Sequence, residues 1–247
     1  MGIPLQVHWT LLLLIGYISW EGWMAAGWFG AGWLFLYCIA IFTCVVLHEL
    51  GHAMMARRFG VNVPRILLLP IGGMAEFDSI PRVPRQEIAI ALAGPAVNAL
   101  LVGILFAGGV RFPEGWDALA FELSLPDFGR HLVLMNAIMG IFNLAPVFPM
   151  DGGRVFRAVL AMKLPYLRAT FWAATTGKIL AVAGAVTALW WFDHVMGAVL
   201  FAFILVAGEV EYRGVKRRER ADAHWRAVLD RFYREEAPET ILDEEKK

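Results

Sequence analysis

GWLFLYCIAIFTCVVLHELGHAMMAR, residues 32–57, decides how the rest of the chain is read. An α-helix needs about 20 predominantly apolar residues to cross bilayer hydrocarbon, and this stretch is long enough, with Glu49 its one acidic side chain before Arg57. His48, Glu49 and His52 then sit inside the apolar run, where ionisable groups are costly and usually functional. The whole sequence, 59% hydrophobic and 18% charged, is more apolar and less charged than a soluble domain of its length requires. Apolar runs place membrane helices at about 5–20, 32–57, 86–110, 130–150, 168–191 and 194–212. The expected fold is an all-α polytopic membrane protein with about six transmembrane helices. The ten Trp residues fit the enrichment of that side chain at membrane interfaces.

The charges set an orientation. Arg57, Arg58, Arg65, Arg82 and Arg85 lie between helices 2 and 3, and Arg154, Arg157, Lys163 and Arg168 between helices 4 and 5. Arg213, Lys216, Arg217, Arg218 and Arg220 follow helix 6, whereas the other connections hold only Arg111 and Arg130. Positive residues collect on the cytoplasmic side, so both termini are expected there, in the inner (plasma) membrane. The first apolar run lacks a basic lead and a small-residue cleavage site and reads as a retained span. Residues 1–212 then form one membrane domain and 213–247 a charged cytoplasmic tail. Trp225, Val228, Leu229 and Phe232 fall there at helical spacing, so the tail is expected to be part helical. Cys38 and Cys44, six apart on one helix, face different ways and are read as buried hydrophobes. A net charge of zero gives no reason to expect a nucleic-acid partner.

Between helices 2 and 3, RILLLPIGGMAEF is short, apolar and interrupted by glycine. Backbone at membrane depth must be satisfied within the protein, so a small membrane-associated β-hairpin is expected here.

His48 and His52, four apart, project from one helix face and can share one metal ion. A glutamate between two such histidines is the general base of a metalloprotease pattern. Two imidazoles and a tetrahedral site with an open position suit one Zn²⁺ ion. A third ligand is then needed at the same depth. Asp151, at the end of FNLAPVFPMDGGRVFR, is the leading candidate; His8 and Glu76 compete. Pro149, Gly152 and Gly153 break the helix around Asp151 and expose its carboxylate.

With these residues in view, the chain resembles the site-2 protease family of intramembrane zinc metalloproteases. HELGH (48–52), LAGPAVN (92–98) and FNLAPVFPMDGGR (142–154) carry the resemblance, and LLLPIGGMAEF resembles the segment between the family's second and third helices. It implies His48, His52 and Asp151 as zinc ligands, Glu49 as catalytic base, and Asn98 and Asn143 as amides that contact the substrate backbone or oxyanion. Phe148 departs from the family, where many members have Asn before the proline. No stretch resembles the PDZ or CBS domains of larger relatives, so the chain looks like the compact prokaryotic branch, which includes sporulation-factor-processing enzymes. The implied partners are a transmembrane protein or peptide substrate and the lipid bilayer, with room for a regulatory membrane partner or a homo-oligomer.

Two other classes fit the sequence less well. A transporter would more often show repeat symmetry, and none is visible. A catalytically silent binding protein would be expected to lose Glu49 or a ligand. Lys178 is expected to snorkel toward the cytoplasmic interface, and Glu209 to pair with a nearby arginine. His131, His194 and His224 are expected to be interfacial or solvated.

Overall fold

The computed structural model describes residues 2–78, 81–112, 124–191 and 195–235. His194 and residues 236–247 of the tail fall outside the described residues. Among those described, six helices and a three-stranded sheet form an all-α membrane fold with a small β element.

Helix α1 (Trp9–Arg58) holds the first two apolar runs and breaks at Ala26 and Gly27. Gly27 has φ 61° and ψ −148°, a region essentially closed to residues with a Cβ. The two legs fold back on each other. A Cβ on Gly22 would lie 2.5 Å from the Gly30 carbonyl oxygen, and Leu11 packs with Val45.

Strands β2 (Ile66–Leu69) and β3 (Gly72–Ala75) make the expected hairpin, with Ile66 opposite Ala75 and Leu69 opposite Gly72. A third strand joins it. Residues 5–7, read above as the start of the first helix, form β1 (Leu5–Val7), parallel to β2. The Ile66 N–H donates to the Pro4 carbonyl, and the His8 N–H to the Leu68 carbonyl, each at 2.9 Å. The His8 side chain then caps α1, accepting from the Thr10 N–H at 3.4 Å.

Helix α2 (Pro84–Ala107) packs against α1, against α3 (Leu125–Asn143) and against α4 (Asp151–Ala161). The expected helix at 130–150 is therefore shorter: it ends at Asn143, and a new helix starts at Asp151. Pro146 and Pro149 explain the gap, since neither has an N–H to donate and each disfavours helix in the residue before it. The Phe148–Pro149 peptide is cis.

Helix α5 (Tyr166–Trp191) pairs with α6 (Val195–Glu235). Helix α6 passes without interruption from apolar into charged sequence. Its charged half is tied back by Arg82, which donates to Asp222 at 2.8 Å. Trp225, Leu229 and Phe232 on that half are exposed.

Helices α1, α2 and α5 are each long and apolar enough to cross a membrane, yet only 17–28% of their most apolar windows is buried inside the protein. Leu12, Trp28, Leu100, Ile104 and Trp190 are among the large apolar side chains left outside. Exposed apolar surface on this scale calls for a lipid environment.

Lys178 pairs with Glu209 on α6, and Glu209 also accepts from Arg213 at 2.5 Å, the arginine pairing expected of it. Other polar residues depart from expectation. His131 is buried, and its ring is bonded to the Asp127 carbonyl at 2.9 Å. Arg157, counted above among the connection charges, is fully buried. Cys38 and Cys44 are both free thiols.

Candidate metal centre

Helix periodicity puts His48 and His52 one turn apart on the second leg of α1, facing α2. Asp151 arrives as the first residue of α4, 99 positions after His52 in the chain. Gly152 lets α4 start hard against the preceding turn, because a Cβ there would strike the Leu144 carbonyl oxygen.

The three side chains converge. Asp151 Oδ2 lies 3.3 Å from His48 Nε2 and 3.1 Å from His52 Nε2, and the two Nε2 atoms are 3.1 Å apart. The residues are 4%, 4% and 7% exposed, so bulk water does not satisfy them.

The outer ring nitrogens fix the chemistry of the inner ones. His48 Nδ1–H donates to Asn98 Oδ1 at 2.5 Å, and His52 Nδ1–H donates to the Ile90 carbonyl at 2.7 Å. Both partners are acceptors, so each Nδ1 carries the proton and each Nε2 turns a lone pair inward. Asp151 Oδ2 is buried without a hydrogen-bond donor. Three acceptor atoms thus face one another at the corners of a triangle. Zinc bonds of about 2.0–2.1 Å in tetrahedral geometry separate their ligands by about 3.3 Å, close to the edges found here. The residues fit one zinc ion, with the fourth corner free of these three side chains.

Around the triangle is a second layer of contacts. Asn98 Nδ2 donates to Asn136 Oδ1 at 3.0 Å, and Asn136 Nδ2 donates to the Leu132 carbonyl at 2.8 Å. Such outer partners hold ligand imidazoles in tautomer and orientation. Gly94 lets α2 lie against the rings, because its Cβ would collide with His52 Nε2 and sit 2.7 Å from His48 Nε2.

Glu49 lies elsewhere. Its Oε2 accepts from the Ala75 N–H at 2.9 Å. In the hairpin ladder the main-chain groups of Gly73 and Ala75 point away from β2. Glu49 therefore rests on the free edge of β3.

The competing third ligands are accounted for. His8 caps α1, and Glu76 accepts from Arg65 at 2.7 Å, which holds its carboxyl below the usual range. Asn98 has both amide atoms engaged within the protein, one of them on His48. Asn143 ends α3, half-buried. Phe148 packs with Ala173 and Ala174 of α5 and with Tyr212 of α6. The Ile90 carbonyl, Asn136 and Gly94 escaped the sequence reading. Asn136, a polar residue inside an apolar helix, carried a usable signal.

Comparison with known proteins follows the same lines. The family model for peptidase family M50 matches residues 36–123 and 119–184. A zinc metalloprotease of Methanocaldococcus jannaschii is 39% identical over 184 residues, 74% of this chain and 50% of that one. The putative zinc metalloprotease Rip3 of Mycobacterium tuberculosis is 30% identical over 82% of this chain and 53% of its own. Stage IV sporulation protein FB of Bacillus subtilis is 27% identical over 91% of this chain and 74% of its own. The chain thus spans about half the length of the first two. A solved structure, the site-2 protease from M. jannaschii, superposes with a TM-score of 0.60 at 34% identity, covering 86% of this chain and 92% of that one. With His48, His52 and Asp151 all inside the matched residues, the chain belongs to peptidase family M50, the family of the site-2 proteases.

Proposed function

We propose that this protein is an intramembrane zinc endopeptidase that hydrolyses a peptide bond within or near the transmembrane segment of a membrane protein. The observation that carries this reading is the buried triangle of acceptors beside a glutamate parked on a free strand edge. His48, His52 and Asp151 would hold the ion. When bound, zinc supplies the Lewis acidity that polarises a scissile carbonyl and makes a water nucleophilic at neutral pH.

The other steps belong to the chain. A substrate helix hides its carbonyls, so it must open locally before attack. The outward main-chain groups of Gly73 and Ala75 can receive the opened segment as an added strand, a recurrent mode of peptide recognition. Glu49 takes the proton from the attacking water and hands it to the leaving amine. Asn143 is the remaining family-matched amide free to contact the substrate; Asn98 acts through His48.

Membrane placement follows the charges: both termini are cytoplasmic, with residues 1–212 embedded and 213–247 a charged extension continued from α6. The metal lies near the cytoplasmic face, close to Arg57 and Arg154 in sequence.

The deciding experiment uses the purified full chain, a single-pass membrane protein and proteomic detection of fragments. Glu49→Gln is expected to bind one zinc and to lose cleavage by at least about 100-fold, the usual scale for a general base. Undiminished cleavage by that variant would remove Glu49 from the mechanism. A transporter or a silent binding protein would cut nothing before or after chelation.

A further inference from the structure

Among the described residues, the most deeply buried charge lies outside the metal triangle and has no role in the reaction just described. Arg157, on α4, is 0% exposed. Its Nε donates to Glu87 Oε1 on α2 at 2.7 Å; its Nη2 lies 2.5 Å from the same oxygen but makes no hydrogen bond, and neither does Glu87 Oε2. Its Nη1 donates to Glu211 Oε1 on α6 at 2.6 Å. The guanidinium also faces the rings of Phe148 and Tyr166, each at 5.1 Å. Glu87 is 2% exposed, whereas the side chain of Glu211 is 32% exposed.

These contacts close a circuit through the metal centre. Asp151 and Arg157 share the short helix α4, fewer than two turns apart. Arg157 grips Glu87, one turn before Ile90 on α2. The Ile90 carbonyl holds His52 Nδ1, and His52 Nε2 faces Asp151. Phe148, against which the guanidinium stacks, belongs to the turn that delivers Asp151. One side chain therefore joins the helix bearing the carboxylate to the helix that orients an imidazole. Those two groups come from separate elements, and nothing in the covalent chain sets their separation.

We infer that Arg157, through its ion pair with Glu87, is a positioning residue that sets the spacing of Asp151 from the histidine pair and so sets zinc affinity. This rests on the reading of His48, His52 and Asp151 as a zinc site. A lysine has no planar guanidinium to hold Glu87 with one nitrogen and Glu211 with another, so Arg157→Lys is not a conservative change here. Removing only one charge of a buried pair also strands the other, so a neutral double variant is needed beside the single ones.

The test measures zinc dissociation constants by chelator competition on the full chain in detergent, well below the melting temperature, with melting curves recorded in parallel. Arg157→Lys and Glu87→Gln are expected to weaken zinc binding about tenfold or more, the scale of lost outer-layer support. The double variant R157M/E87L leaves no stranded charge and is expected to show a comparable loss even where its melting temperature is unchanged. Glu211→Gln is expected to stay within about twofold, because its carboxylate is on α6 and water can reach it.

Zinc affinity within twofold of the parent in Arg157→Lys, or in a folded R157M/E87L, would overturn the inference. An equal loss in Glu211→Gln would overturn it too, by showing general loosening instead of a tie between α2 and α4. Asp151→Asn separates this from the reading beneath it. If that variant holds zinc as tightly as the parent, the zinc site is wrong; if it loses zinc while Arg157→Lys does not, only the positioning role fails.

Discussion

Two polar clusters lie inside this apolar molecule, and they are built on opposite principles. Around Arg157 a cation is already present, and the carboxylates of Glu87 and Glu211 come to it. At the triangle of His48, His52 and Asp151, every inward atom is an acceptor, and the ring protons are spent outward on Asn98 and Ile90. The first cluster carries its own cation; the second is incomplete without a cation from outside. Buried polar groups are tolerated when satisfied, so a set of lone pairs aimed at one point is informative: it states what is to be bound.

The sharpest way to break this contrast is to remove a corner of the triangle. Asp151→Ala is expected to abolish stoichiometric zinc in metal analysis of purified protein, and full retention would mean the triangle is not the site. Next comes the wall behind the rings. Gly94→Ala puts a methyl into the space of both Nε2 atoms, and zinc affinity is expected to fall by about 100-fold, the upper range for disturbed support. Asn98→Ala removes the acceptor on His48 Nδ1, and with it the donor to Asn136, and frees the ring to turn; a loss nearer tenfold is expected by chelator competition. Smallest of all is Glu76→Gln. Its carboxylate belongs to Arg65, at the surface of the sheet, so zinc content and affinity are expected to remain unchanged. A loss there would reinstate Glu76 as a ligand.

How legible these features were depended on how local they are. His48, Glu49 and His52 announce themselves because the helix repeat brings neighbours in sequence onto one face. Asp151 could be ranked above His8 and Glu76, but its distance to the imidazoles is a tertiary fact that no local pattern contains. Asn98 was noticed for its motif; its hold on His48 depends on how α1 meets α2. β1 is hard to read because three residues in a parallel pairing, about 60 positions from their partner, leave almost no local trace. α4 was missed for a different reason: apolar sequence continues through Pro146 and Pro149, and hydropathy does not register the loss of two N–H donors. The Lys178–Glu209 pair is illegible locally because its two members lie on different helices.

Glu49 shares the Ala75 amide with no other group. A visiting strand that lines up on β3 must take that same amide for its own carbonyl. On the proposed reading, that arrival would also release the Glu49 carboxylate, so proton transfer would be tied to a guest that has already unwound.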